Sequence, residues 1–248
     1  MAGEAQMSFW DHLEALRGTV LRSLLAVVAV SAAVFCFKSA VFDGVVLAPT
    51  RGDFPVYRMM GGGFSMNLVN LDISAQFFIH LKVSVMAGFI LACPYILFEI
   101  WKFIAPALYE KEKKAVRAAF LFAGGLFYAG LVTGYFLVLP FALNFFQSYT
   151  VSDSIANTIS LQSYISMFSS LVLAFGLVFE FPAAVAALSR AGVIGRRHLV
   201  KYRKYAIVAI LVVAAIITPA DPFSMIVAAV PLYLLYEGSV LVCAKEKQ

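Results

Sequence analysis

The segment Phe175–Pro182 reads FGLVFEFP, and Glu180 within it is the only charged side chain between Leu161 and Leu188. An ionised, unpaired carboxylate in apolar surroundings carries a Born penalty of order 20 kcal/mol in the idealised limit, whereas keeping it protonated at pH 7 costs about 3.7 kcal/mol. Glu180 is therefore expected to be neutral, or to meet a cation or a hydrated cavity, and to face protein or water rather than lipid. Two uses fit that chemistry: a hydrogen bond that ties two helices together, or a polar site reached by a partner or a proton. Pro182, two residues further on, predicts a local distortion that frees backbone carbonyls beside the carboxyl group.

The other candidates lie near basic residues. In APALYEKEKKAVR (Ala105–Arg117), Glu110 faces Lys113 and Lys114 at i+3 and i+4, an ordinary helix-surface arrangement. Glu112 faces Ala115 and Val116 instead, so it is either solvated or reserved for a cationic visitor. Glu14 has Arg17 three residues on, which favours a local pair. Glu99, three residues before Lys102, and Glu237, eight before Lys245, read as packing or helix-pairing residues. Catalysis is poorly supported. His12, His80 and His198 are far apart, and there is no HExxH, no metal-ligand spacing and no Gly-x-Ser-x-Gly elbow. No metal and no cofactor is expected. Gly61-Gly62-Gly63 is not followed by Lys-Ser/Thr, so it reads as a flexible turn rather than a phosphate loop. Cys36, Cys93 and Cys243 are widely spaced and read as small packing residues.

Composition sets the elements that must position these groups. Hydrophobic residues make up 62% of the 248 and charged residues 13%, against roughly 45–50% and about 25% in a soluble domain. The apolar residues fall into six blocks, 19–37, 76–104, 115–140, 161–188, 205–217 and 223–242. About 20 apolar residues cross a hydrocarbon core, so the blocks predict six transmembrane helices in one all-α integral membrane domain. Block 205–217 is short: at about 1.5 Å per residue it rises only ~20 Å, so the bilayer thins there or the helix shelters against others. Residues 1–18 read as a cytoplasmic amphipathic segment, with Ser8 starting a helix and Trp10, Leu13 and Leu16 on one face. Residues 38–75 read as an outer cap.

Placing the amino terminus in the cytoplasm puts 15 of the 19 Lys and Arg residues on that side, the bias expected of cytoplasmic loops. Both termini are therefore expected inside. The net charge of +5 is mostly this orientation signal and implies no nucleic acid.

Five segments, in order along nearly the whole chain, resemble the TatC family, the multispanning receptors of twin-arginine protein translocases. They are FWDHLEALR (Phe9–Arg17), FEIWKFIAPALYEKEKK (Phe98–Lys114), FGLVFEFP (Phe175–Pro182), RKYAIVAILVVAAIITPADPFS (Arg203–Ser224) and PLYLLYE (Pro231–Glu237). The resemblance implies a glove-shaped protein in a bacterial cytoplasmic (inner) membrane, with six helices and a concave lateral face. It implies binding of the twin-arginine signal peptides of folded cargo, single-span partners of the TatA/TatB type, self-association, and transport driven by the protonmotive force. Carried over residue by residue, it assigns Glu112, Phe103 and Glu14 to signal-peptide binding and Glu180 to an intramembrane polar or partner contact. Pro49, Pro106, Asp221 and Arg17 receive structural or partner-contact roles. Two positions depart from the family pattern. Its His-Leu-x-Glu-Leu-Arg is here His12-Leu13-Glu14-Ala15-Leu16-Arg17, and its Pro-Pro-Asp is Pro219-Ala220-Asp221.

Two guanidiniums side by side match carboxylates through planar donor forks. On a basic cytoplasmic surface only close carboxylates can make that selection, and Glu112 is the best placed by spacing. The competing reading is a small proton-coupled secondary transporter with Glu180 as proton carrier; such transporters usually show repeated halves with broken helices, and no repeat is evident.

Overall fold

The computed structural model describes residues 9–59, 64–105, 110–152, 154, 158–190, 194–218 and 221–243. Ser8, Gly61–Gly63, Pro106, Pro219 and Ala220 lie outside the described residues. In chain order the elements are α1 (Phe9–Cys36), α2 (Lys38–Val41), α3 (Pro55–Met59), β1 (Leu68–Val69), α4 (Ala75–Ile104), α5 (Glu110–Thr133), α6 (Leu139–Ser148), β2 (Ile159–Ser160), α7 (Leu161–Val178), α8 (Phe181–Arg190), α9 (Arg196–Lys201), α10 (Arg203–Ile217) and α11 (Pro222–Val242). β1 and β2 pair in parallel, Leu68 opposite Ile159 and Val69 opposite Ser160.

Among the described residues, five helical stretches are long and apolar enough to cross a membrane: His12–Cys36, Ala75–Ile104, Arg117–Ser148, Leu161–Ala186 and Pro222–Leu241. α10 is a helix of 15 residues, fewer than the ~20 that a hydrocarbon core needs. Trp10–Arg17 forms the first turns of α1 rather than a separate helix. The physical reason is plain in the sequence: α1 holds no proline and a single glycine, Gly18, so nothing interrupts its ladder. The long third stretch contains a π-helical turn at Gly134–Val138, joining α5 to α6. Pro140 follows it, and the wider turn gives the carbonyl of Phe136 room beside the proline ring.

The chain divides into two compact units, Met1–Phe37 with His80–Gly124 and Lys38–Ile79 with Gly125–Gln248. In the first, α1 runs antiparallel to α4. Small buried residues make the crossing: Ser84, Gly88 and Ala92 recur at four-residue spacing on α4 and Ser31 lies on α1. A methyl group at Gly88 would lie 2.8 Å from the Ser31 Cα, so the two backbones touch, as small-xxx-small stripes allow. Phe35 stacks on His80 at 3.9 Å between ring centroids, and Trp101 meets Phe120 of α5 edge-on at 6.0 Å.

In the second unit a glycine pair does the same work. A methyl group at Gly130 of α5 would lie 2.3 Å from the carbonyl oxygen of Phe175, and one at Gly134 would lie 3.1 Å from the Phe175 Cβ. These contacts seat the α5–π–α6 stretch on α7, with Phe175, Leu171 and Phe168 fully buried between them. The segment 38–75 has its own structure, a π-helical turn at Phe42–Val46 and a 3-10 turn at Ala48–Thr50 between α2 and α3. Phe54, Tyr57 and Phe64 form its aromatic core.

Gly130→Ala is expected to destabilise the protein by about 1–3 kcal/mol, because the displaced atom is backbone rather than a movable side chain. Gly238→Ala, where nothing lies within 4 Å of the added methyl, is expected to leave the thermal unfolding midpoint in detergent unchanged or slightly raised.

Candidate functional site

In the first unit, Phe103 and Glu99 of α4 meet residues of α1 along the seam of the two helices. Near its α1 end, the rings of His12 and Phe103 pack at 4.5 Å between centroids. One helical turn earlier on α4 is Glu99, the only buried charged residue among those described, at 3% exposure. Its carboxylate accepts from Arg22 Nε of α1 at 2.6 Å. Arg22 Nη2 reaches Thr19 Oγ1 at 3.4 Å. The Arg22 side chain itself is 47% exposed.

Glu14 and Arg17 are both exposed and make no ion pair with each other among the described residues. On α1, Ala15 shares the side of His12, Thr19 and Arg22, and Glu14 lies about 100° around the helix from Ala15. Ala15 is half-buried. Glu112 falls in the first turn of α5; its side chain lies outside the described residues, as does the whole of Pro106.

In the second unit, Glu180 sits where the expected long helix breaks. α7 ends at Val178, Phe179 and Glu180 form a turn, and α8 restarts at Phe181. Pro182 explains the break: it offers no N–H to the carbonyl of Val178. Glu180 N–H instead donates to the Leu177 carbonyl at 3.1 Å, and the Glu180 carbonyl accepts from Ala184 N–H at 3.0 Å. The Glu180 side chain is half-buried and has no ion pair or hydrogen-bond partner among the described residues.

Pro49 is buried, and its carbonyl accepts from the Tyr57 hydroxyl at 2.9 Å. Two further tyrosines hold the same segment: Tyr135 donates to the Val45 carbonyl at 2.8 Å, and Tyr164 of α7 donates to that of Val46. Burial pushes the Tyr57 phenol above its usual range, so it stays a donor at neutral pH. Asp221 caps α11: its Oδ1 accepts from Ser224 N–H at 2.7 Å, and Pro222 occupies the first helical position, where a missing N–H costs nothing. At the other end of α10 and α11, Arg203 Nη2 meets Glu237 Oε2 at 2.7 Å while Tyr233 donates to Glu237 Oε1 at 3.1 Å. A cavity of about 470 Å³ lies among Leu143, Ser163, Tyr164, Met167 and Thr218. Among the described residues no group of His, Cys, Asp or Glu is placed to hold a metal.

Glu99 and Glu237, which read in the sequence as packing or helix-pairing residues, both pair between helices, with Arg22 and Arg203. In the sequence Arg22 contributes one of the 15 charges on the cytoplasmic side. The available signal was its depth: it lies inside the first apolar block, where a cation needs a counter-charge. The three tyrosine donors carry no local signature, since each reaches a carbonyl distant in sequence or across a turn.

The profile of the family described as "TatC: Sec-independent protein translocase protein (TatC)" matches residues 11–231. The chain is 34% identical over 252 residues to the Sec-independent protein translocase protein TatC of Blattabacterium sp. subsp. Periplaneta americana, covering 96% of this chain and 95% of that one. It is 37% identical over 238 residues to the protein of the same name from Desulforapulum autotrophicum, covering 96% of this chain and 84% of that one. Among solved structures it superposes on a crystal structure of the twin-arginine translocase receptor TatC in DDM with a TM-score of 0.79 and 37% identity, covering 94% of this chain and 99% of that chain.

The cap on α11 separates geometry from charge at Asp221. Asp221→Asn is expected to keep the hydrogen bond to Ser224 and near-native stability, while Asp221→Ala loses about 1 kcal/mol. Thermal unfolding of the two variants in one detergent makes the comparison.

Proposed function

The chain belongs to the TatC family of Sec-independent protein translocase proteins, and from that premise we propose that it is the receptor and core subunit of a twin-arginine translocase. It is a multi-pass membrane protein and a protein translocase component. In this reading it sits in a bacterial cytoplasmic membrane with six spans, α10 being the short one, and both termini in the cytoplasm. The glove-like form with a lateral concave face belongs to the same reading. It binds twin-arginine signal peptides of folded cargo, assembles with TatA/TatB-type single-span proteins and with further copies of itself, and uses the protonmotive force.

The observation that carries the reading is the family match over residues 11–231, a range that takes in Glu14, Phe103 and Glu112. The chemistry is consistent with it. Glu112, at the start of α5, offers a carboxylate without a basic neighbour at helical spacing, and Phe103 offers an aromatic face already paired with His12. Planar guanidiniums take both kinds of partner, through bidentate hydrogen bonds and by stacking. Glu14 joins Glu112 and Phe103 in binding the signal peptide, Glu180 acts as an intramembrane polar contact for a partner helix, and Pro49, Pro106, Asp221 and Arg17 shape or border the contact surfaces. The secondary-transporter alternative, with Glu180 carrying protons, is disfavoured by the family match.

A photo-reactive twin-arginine signal peptide is expected to label the membrane-embedded protein near Glu112. Labelling should fall about tenfold when both peptide arginines become lysines, or in Glu112→Ala, the loss expected for one charge-assisted hydrogen-bonded pair. Equal labelling by the Lys-Lys peptide contradicts the receptor reading. For Glu180, export is expected to survive Glu180→Gln, which keeps a hydrogen-bonding side chain, and to fail in Glu180→Ala. Equal loss in both rules out a neutral hydrogen-bonding role.

A further inference from the structure

The Arg22–Glu99 pair has features that an ordinary structural ion pair does not require. Glu99 is the one buried carboxylate among the described residues, at 3% exposure, yet its partner's side chain is 47% exposed. The contact is made through a single nitrogen, Arg22 Nε to Glu99 Oε2 at 2.6 Å, while Nη2 turns to Thr19 at 3.4 Å. A guanidinium can meet a carboxylate with two parallel donors; here it uses one, and the Tyr95 side chain, one turn earlier on α4, is a further polar neighbour of the same carboxylate. Lys102, one turn further on α4, is exposed and forms no ion pair with Glu99.

Glu99 is also well placed. Phe103 lies four residues on, on the same face of α4, with His12 stacked against it at 4.5 Å. The seam thus presents a carboxylate and an aromatic pair about one helical turn apart, the two partners that a guanidinium accepts.

We propose that Glu99 is a guanidinium site for an arginine of the signal peptide, and that Arg22 is its resident occupant, displaced when the peptide binds. The inference rests on the receptor reading above and deepens it. An exchange of one guanidinium for another leaves the buried charge balanced at both ends of the step. Glu99 is never left bare in the apolar seam, so the desolvation cost that opposes opening a buried pair is not incurred twice. Arg22, half-exposed already, swings outward when released. A peptide guanidinium that presents both terminal nitrogens gains the fork that Arg22 leaves unused. Lysine cannot do this, because its ammonium is a point charge without a fork. Arg22 thereby raises the threshold for binding, and a peptide must bring a guanidinium to compete with it.

The test uses full-length protein purified in detergent and titrated with a fluorescent twin-arginine signal peptide and its Lys-Lys counterpart. Wild type, Arg22→Gln, Glu99→Gln and the double variant Arg22→Gln/Glu99→Gln are compared, each first checked as monodisperse. Arg22→Gln is expected to bind the twin-arginine peptide about tenfold more tightly than wild type with little change for the Lys-Lys peptide, since Glu99 is freed to take a forked charge-assisted contact from the peptide. Glu99→Gln is expected to weaken the twin-arginine peptide, and the double variant to lose the gain. If Arg22→Gln is not monodisperse, Arg22→Lys keeps the charge but cannot hold Glu99 and Thr19 together as Nε and Nη2 do, and is expected to bind about threefold more tightly. A gain that persists in the double variant, or no gain in Arg22→Gln or Arg22→Lys while wild type still prefers the twin-arginine peptide, makes the pair purely structural and overturns this inference alone. A wild type that binds both peptides equally overturns the receptor reading, and this inference with it.

Discussion

In a hydrocarbon layer a polar group must find its partner inside the protein, because no water is there to take its place. That requirement explains why so much of this chain's polar chemistry is paired across distant sequence. Glu99 of α4 takes Arg22 of α1, and Glu237 of α11 takes Arg203 of α10 and Tyr233. In the segment 38–75, outside the spans, the carbonyls of Val45, Val46 and Pro49 likewise take three tyrosine hydroxyls. Each pairing ties together elements that apolar packing alone would hold without register, since lipid tails are as apolar as leucine.

The same constraint governs how closely the helices approach. Ser31 against Gly88, and Gly130 and Gly134 against Phe175, bring backbones into contact where larger side chains cannot fit. Close approach brings Arg22 within reach of Glu99 in the first unit and the tyrosines within reach of the 45–49 segment in the second. The α7–α8 break shows the converse. Pro182 frees a carbonyl, and the only carboxyl group of the stretch sits in that turn, where helix geometry no longer dictates its direction.

Much of this was legible in the sequence, and unevenly so. Membrane class and long helices follow from apolar block length, a property of local composition. The break beside Glu180 was legible because proline acts on its own helix within four residues. The continuity of α1 through Trp10–Arg17 was missed, since amphipathic periodicity marks a change of environment and not a change of backbone. The pairings were legible only in part. Glu99 and Glu237 stood out as charges inside apolar blocks, but naming Arg22 and Arg203 required knowing which helices touch, and in what register. Nothing local encodes that. At the amino terminus, helical geometry adds a distinction that spacing alone left open: Glu14 points away from the side of α1 that carries His12, Thr19 and Arg22, while Ala15 shares it.

The central claim, that the chain is the receptor of a translocase that reads paired arginines, is tested most directly by transport. Inverted membrane vesicles carrying this chain with the single-span partners of its own organism are given a folded fluorescent reporter bearing a twin-arginine signal. The account predicts protease-protected, still-fluorescent reporter only when a proton gradient is imposed, and none for the Lys-Lys version of the same signal. Equal protection of the two reporters, or protection unaffected by collapsing the gradient, contradicts it.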